Sequence, residues 1–393
     1  MQAATPGLLF VVNSLELGGA EKQVVTLLNH LDNRRFRLHL AYLKRGERLL
    51  PQLDTGKLET LMCCGVTRGV ERAAVRQLGA FIRERHIDAV VCTNTYSMLY
   101  GYLARPSKTK LATVFHTTLL RTYKEKAQML LYQHLFRRSD LLLYVCENQR
   151  DYWRDRGLRA AADGVVHNGI DVSYFSDRQT PESRTALRAR FGFAPSDTVF
   201  GLCSSMRPEK AHVDLLDAIA LLRTRGVAAK ALFIGDGPER SGIERKIAAL
   251  GLREHVVITG MQSDVRPYIG CCDVMTLVSH AIETFSLAAL ESMALGKPLV
   301  MSDIGGASEQ VLHGQTGLLF EPGDIPALAG HLNTLTDEST RARMGAAALR
   351  RVRQLFTVET MTDGFTEKME RLLGRDWQQP PVPRQASHGS HHA

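Results

Sequence analysis

Glu283 and Glu291 stand eight residues apart in ETFSLAALES, residues 283–292. On one continuous helix that interval would span about 12 Å and set the side chains roughly 80° apart, too far for them to work as a pair on one bond. They must then contact different parts of one ligand, or have no joint role. The wider stretch VMTLVSHAIETFSLAALESMALGKPLV reads as strand, loop, helix, glycine stop and strand. The alanines, leucines and methionine after Phe285 favour helix, and Gly296 ends it as a cap residue would. Glu283 is therefore expected in the loop and Glu291 one to two turns inside the helix. Between them the free N–H groups of Phe285, Ser286 and Leu287 would form a positive helix end, a natural seat for phosphate. A ligand with a central diphosphate would touch those amides and meet one carboxylate on each side. That is the shape of a nucleotide sugar, with Glu291 on the ribose and Glu283 on the transferred sugar. Taken alone, the stretch reads more readily as two solvated glutamates.

Other loops bear on the choice. SSMRPEKAH places Arg207 and Lys210 three apart at a helix start, two cations aimed at one cleft mouth and able to neutralise a departing diphosphate. IGDGPER offers Gly235 and Gly237 for close backbone approach, but position 240 is Arg240, so the third glycine of a dinucleotide fingerprint is missing. SDIGGASEQV sets Gly305 and Gly306 after another strand end, and NSLELGGAEKQ sets Gly18 and Gly19 after the first strand. VFHTT ends a strand with His116, a residue that in isolation is more often structural than catalytic.

These loops need a scaffold that gathers strand ends. Short apolar runs at residues 8–13, 37–43, 89–94, 111–116, 141–146 and 164–169 alternate with helical stretches near 21–31, 70–85, 122–138 and 147–157. A polar, basic linker follows, and the alternation restarts at 198–203, 231–237, 256–260, 274–279 and 298–303. The expectation is two doubly wound α/β domains, residues 1–175 and 176–355, then a helix over 356–373 and a Pro- and His-rich tail over 374–393, read as disordered. His388, His391 and His392 in that tail have no fixed geometry for a metal. Two such domains in tandem form a cleft between the carboxyl ends of their sheets.

Composition sets the outer bounds. A chain of 393 residues with 44% hydrophobic and 23% charged content exceeds the usual single-core size and is globular in character. The first apolar run is five residues long without a basic leader, so neither signal peptide nor membrane span is expected. Seven cysteines with no C-x-x-C point to reduced thiols in a cytosol rather than to disulfides or zinc. Forty-nine basic against 41 acidic residues favour an anionic partner.

In combination and order, GGAEKQ, VFHTT, NGID, RPEK, GDGPER, the spaced Glu283 and Glu291, and SDIGGASEQV resemble a retaining family-4 glycosyltransferase of the GT-B fold, from about residue 8 to 373. The resemblance implies two Rossmann-like domains facing across a cleft, the first binding acceptor and the second nucleotide sugar, with a C-terminal helix crossing back to the first. It also implies Glu291 on the donor ribose, Glu283 on the donor sugar, Lys210 on the diphosphate, Gly19 in the loop over the phosphates, and His116 beside the reacting sugar. The chain departs from the family in two places. Ser204, Ser205 and Met206 stand where many relatives read Gly-Arg-Leu, displacing the phosphate arginine to Arg207. Ser286 replaces a common glycine, where it would narrow the phosphate seat or add a hydroxyl donor.

The expected activity is metal-independent transfer of a sugar to a hydroxyl acceptor, with no cofactor and no nucleic-acid partner. Two alternatives stand beside it: a nucleotide-sugar epimerase on the same fold, and a non-catalytic nucleotide-sugar sensor. On a helix over 68–85, Arg68, Arg72, Arg76 and Arg83 would share one arc of about 80° opposite Val70, Ala74, Val75, Leu78, Phe81 and Ile82. That face reads as ordinary solvated surface, or as a dock on an anionic membrane for a lipid-linked acceptor, which would place the protein in the cytoplasm or peripherally on the membrane's inner face.

Overall fold

The computed structural model describes residues 5–117, 123–281 and 283–375. The tail from residue 376 onward, including His388, His391 and His392, lies outside the described residues. The first sheet has seven strands, β1 (Gly7–Val12), β2 (Arg37–Tyr42), β3 (Thr60–Cys63), β4 (Ile87–Thr93), β5 (Lys110–Phe115), β6 (Leu141–Tyr144) and β7 (Ala162–Val165), in the order β3-β2-β1-β4-β5-β6-β7. The second has six, β8 (Thr198–Cys203), β9 (Ala229–Ile234), β10 (Val256–Ile258), β11 (Val274–Leu277), β12 (Leu299–Ser302) and β13 (Gly317–Phe320), in the order β10-β9-β8-β11-β12-β13. Every pairing within them is parallel. All six residues of β1 are buried, because helices cover both faces of the sheet and an unbroken apolar run is what such a position requires. The winding reverses at β1 and at β8, and ligands of open α/β sheets bind outside the strand ends at such a point.

One face of the first sheet carries α1 (Gly19–His30) and the last described helix, Val358–Leu372. The other carries α2 (Arg72–Glu84), α3 (Asn94–Ala104), α4 (Tyr123–Phe136) and α5 (Glu147–Asp155). The expected crossing back is present. The Ile170 and Val358 amides donate to the carbonyls of Phe356 and Ile170 at 2.9 and 3.0 Å, and the Thr357 hydroxyl caps the helix by accepting from the Thr360 amide. Val358, Met361, Phe365 and Met369 then form one buried stripe against the first domain, each worth on the order of 1.5–3 kcal/mol. Phe365 meets Phe10 of β1 with ring centroids 5.7 Å apart.

The elements not anticipated include β3, α3 and β13. In α3, NTYSMLYGYLA is poor in strong helix formers, and its helix depends on packing. A Cβ at Gly101 would lie 2.5 Å from Cys92 Sγ, so the glycine is what lets α3 sit on β4. The expected helix over 68–85 begins only at Arg72. Gly69 takes a left-handed φ of 60°, and the Glu71 carboxylate accepts from the Thr67 and Arg68 amides, tying that segment into a turn. Arg68 therefore stands outside the helix, and Val70, expected to pack, is exposed.

Candidate functional site

A cavity of about 680 Å³ lies in the cleft, walled by Gly18, Gly19 and Lys22 from the first domain and by Cys203, Leu287 and Glu291 from the second. The loop after β1 opens α1 at Gly19, around which a Cβ would find nothing within 4 Å, so ligand backbone approach is unobstructed there. One turn further on, Lys22 reaches across the cleft and pairs with Glu291, whose side chain is almost fully buried on the helix Leu287–Ala294. Desolvation draws the Lys22 ammonium down, but the Glu291 carboxylate more than offsets this and holds its pKa above the ordinary value. Lys22 is a residue that the sequence reading quoted within a motif without assigning it a role.

Glu283 occupies the loop before that helix, as expected. Its Oε2 lies 2.6 Å from Lys210 Nζ and accepts from Ser279 Oγ at 3.1 Å. Lys210 ends a short 3₁₀ turn, Pro208–Lys210, and the left-handed Ala211 (φ 46°) turns the chain into the next helix. Lys210 lines a small depression that meets the main cavity at Cys203. Arg207 does not join it: the guanidinium is exposed and pairs with no carboxylate among the described residues.

Gly305 and Gly306 position Glu283 from behind. Gly305 is left-handed (φ 57°), and a Cβ there would fall 1.8 Å from the Glu283 carbonyl oxygen, while the Gly306 amide donates to the Thr284 carbonyl at 2.8 Å. Gly305→Ala is therefore expected to destabilise the protein by at least about 1–2 kcal/mol through its backbone alone, and to displace Glu283. Urea unfolding checks this, and an unchanged midpoint would contradict the close approach.

The helix end expected to seat a phosphate is built differently. The Ser286 amide is not free, because the buried Gln310 side chain accepts from it at 2.9 Å and donates to the Ser286 carbonyl at 2.9 Å. The Ser286 hydroxyl neither narrows the seat nor faces a ligand: it is buried and caps the helix by accepting from the Ala289 amide. Phe285 is likewise buried, stacked on His167. The amides at the open end are those of Leu287 and Ala288, both on the cavity wall. Gly235 and Gly237 also serve another purpose. A Cβ on either would run into the backbone of Ser204 or Met206 at 2.1 and 2.5 Å, so their close approach is to the loop after β8.

His116 follows β5, in a small pocket that shares Gln23 with the main cavity. Its amide donates to Asn94 Oδ1 at 2.9 Å and its carbonyl accepts from Thr284 Oγ1 at 2.8 Å, which fixes it against the Glu283 loop. Desolvation pushes its imidazole down to about 4, so it is neutral near pH 7. On the far side of the interface, Glu309 of the second domain caps α5 of the first. Its carboxylate accepts from the Glu147 and Asn148 amides at 2.9 and 2.7 Å and meets His167 Nε2 at 3.0 Å. Burial pushes this carboxyl up, but the His167 contact and the two amides outweigh it and hold the pKa below the usual range.

Comparison with known proteins gives this cleft a family. The model described as Glycosyltransferase Family 4 matches residues 17–174, and that described as Glycosyl transferases group 1 matches residues 183–351. The N-acetyl-α-D-glucosaminyl L-malate synthase of Bacillus anthracis is 32% identical over 202 residues, covering 51% of each chain. The D-inositol 3-phosphate glycosyltransferase of Rhodococcus erythropolis is 30% identical over 217 residues, covering 53% of this chain and 48% of that one. The chain thus spans about half the length of these curated relatives. The crystal structure of Anabaena HepE in complex with UDP shares the fold, with a TM-score of 0.81 at 24% identity, over 93% of this chain and 100% of that one. With one family model on each sheet and the GT-B architecture extending over nearly its whole length, the chain belongs to the group 1, family 4 glycosyltransferases.

Proposed function

We propose that the protein moves a sugar from a nucleoside-diphosphate sugar to a hydroxyl acceptor with retention of anomeric configuration, in glycan, surface-polysaccharide or glycolipid synthesis. The observation that carries this reading is the placing of two separate lysine–glutamate pairs near the Leu287 helix, Lys22 with Glu291 on the wall of the main cavity and Lys210 with Glu283 at the depression that adjoins it at Cys203. Each carboxylate is already matched by a cation, so each site is prepared for a ligand that carries both hydroxyls and charge. The ribose would exchange with Lys22 at Glu291, the diphosphate would lie along the Leu287 and Ala288 amides towards Gly19, and Glu283 would hold the sugar. Lys210 and the helix amides would neutralise the departing diphosphate, so no metal ion is called for. The bond from the anomeric carbon to the diphosphate oxygen breaks with its electron pair on that oxygen. The acceptor oxygen bonds on the same face, and its proton passes to a leaving-phosphate oxygen. Neutral His116 would hydrogen-bond beside the reacting sugar.

Anabaena HepE was crystallised with UDP and with UDP-glucose, which supports a uridine donor as the first to try. The names of the two curated relatives carry L-malate and D-inositol 3-phosphate, both hydroxyl compounds, which supports a hydroxyl acceptor. A thermal-shift screen of UDP, GDP, ADP and CDP and their sugars tests the donor, since a ligand at 100 times its Kd stabilises by about 2.7 kcal/mol. Product analysis then separates transfer, which makes a new glycoside, from epimerisation, which only changes the donor sugar.

The acceptor side carries a second part of the proposal, an anionic membrane surface. Arg72, Arg76 and Arg83 are exposed on α2, with Arg68 on the loop before it. In the same helical layer, Leu103 of α3 and Leu130 and Leu131 of α4 are exposed too. Basic residues near such a surface contribute about 1 kcal/mol each, and salt screens them. The protein is expected to sediment with anionic liposomes at low salt and to be released by salt or by charge reversal at Arg72 and Arg76, with donor binding unchanged. If the reversed protein sediments as well as the parent, this face is ordinary surface. No helix among the described residues is long and apolar enough to cross a membrane.

A further inference from the structure

The carboxyl edge of the first sheet holds, beside His116, groups that the donor reading leaves unused. Strands β2, β1, β4 and β5 lie side by side, and just beyond their ends stand Lys44, Asn13, Asn94 and His116. With neighbouring strands about 4.8 Å apart, the row is about 14 Å long, less the reach of the lysine side chain towards its middle.

Lys44 is half-buried, and its Nζ lies 5.0 Å from the centroid of the Tyr96 ring. It pairs with no carboxylate among the described residues. The acids on the neighbouring loops are engaged elsewhere: Glu16 faces Arg48 at 3.4 Å, and Glu47 accepts from the Tyr42 hydroxyl at 2.6 Å. Its surroundings are held in place from two sides. The Lys44 amide donates to the Asn13 carbonyl at 2.8 Å, and the two loops are joined again by Leu15 to Gly46 and Leu49 to Leu15, each at 2.8 Å. Tyr96 is anchored by its hydroxyl on the Gly69 carbonyl and by its edge contact with Tyr100 at 5.4 Å. Between the lysine and the histidine, Asn13 Oδ1 is buried and accepts from no donor among the described residues. An ordered cation without a counter-charge and a buried oxygen without a donor both lack what a phosphorylated, hydroxyl-bearing molecule supplies.

We infer that the acceptor carries a phosphate-type anion, bound by Lys44, at one end of this row, while the hydroxyl to be glycosylated lies at the His116 end. The inference rests on the glycosyl-transfer reading and specifies the acceptor class within it. A phosphorylated sugar in solution and a lipid-linked phosphate share this chemistry.

The test uses the full chain with lysines dimethylated by ¹³C-formaldehyde and the donor seat filled by the nucleoside diphosphate that gives the largest thermal shift. The Lys44 methyl signal is identified by its loss in Lys44→Gln. Inorganic pyrophosphate and glucose 6-phosphate are the soluble probes, with glucose as the uncharged control. Phosphatidylcholine vesicles with and without phosphatidic acid are the lipid probes. The expected result is a saturable shift of the Lys44 signal with an anionic probe and none with glucose or neutral vesicles. Response to the soluble probes indicates a sugar phosphate, and response to phosphatidic acid alone indicates a lipid phosphate. In Lys44→Gln, which keeps the nucleotide thermal shift, affinity for the responding probe measured by calorimetry or vesicle sedimentation should fall tenfold or more. A Lys44 signal unmoved by all anionic probes, or moved as much by glucose, overturns the inference and leaves the donor reading standing. Absence of any nucleotide thermal shift would instead undermine the donor reading itself.

Discussion

Lys210→Ala is expected to lower turnover on the order of a hundredfold or more, while activity of the parent protein persists in excess chelator. The reason is where charge develops. On the proposed reading the diphosphate would gather negative charge, as the bond to the anomeric carbon breaks, within reach of Lys210, whose Nζ is held 2.6 Å from Glu283. Removing the lysine takes away that cation and leaves the Glu283 carboxylate, among the described residues, with the Ser279 hydroxyl. The variant's melting temperature and circular dichroism separate a lost charge from a lost fold. Steady-state rates with the donor found by thermal shift are the direct measurement. An enzyme silenced by EDTA and restored by magnesium would overturn the metal-independent part, and a Lys210→Ala protein with near-parental turnover would overturn the role of the lysine.

The two glutamates should separate cleanly by ligand. Glu291→Ala is expected to weaken the bare nucleoside diphosphate and the sugar nucleotide alike, by roughly 1.5–3 kcal/mol, because the ribose is common to both. Glu283→Ala should spare the bare diphosphate and lower turnover. The Lys22 pair complicates the first variant, since Glu291→Ala also releases a half-buried ammonium next to the ligand. Lys22→Met, alone and combined with Glu291→Ala, isolates that contribution as a double-mutant cycle. Calorimetry with both ligands decides the assignment, and equal effects of the two glutamate variants on the bare diphosphate would refute it.

Much of the scaffold was legible because it is written in local signals. β1 and β8 are short apolar runs buried on both faces, and Gly296, with φ 69°, ends its helix where a stop was expected. α3 was not legible, since its helix is sustained by Gly101 fitting against β4 rather than by the propensities of Thr95, Tyr96 and Tyr100. At the site, the loop position of Glu283 and the helical position of Glu291 could be inferred from the turn between them. What each one touches could not. Lys22 is 269 residues from Glu291 in sequence, and Gln310 is 24 from Ser286, so only the folded chain shows the first pairing or that the Ser286 amide is already occupied. The α2 boundary failed for a related reason, because the turn at Gly69 and Glu71 competes with helix in a stretch whose arginine spacing suits either.

The order in which the chain is made gives the Val358–Leu372 helix a further consequence. The first sheet is complete in sequence at Val165, yet the helix that covers Phe10, Val24 and Leu27 is synthesised roughly 190 residues later, an interval of about 10–40 s at ordinary translation rates. During that time α1 alone covers this face, and the apolar strip beside it, which includes Phe10, is open to association with other emerging chains. The first domain therefore completes its core only after the second has been synthesised, and a chain cut before Val358 leaves the strip beside α1 uncovered.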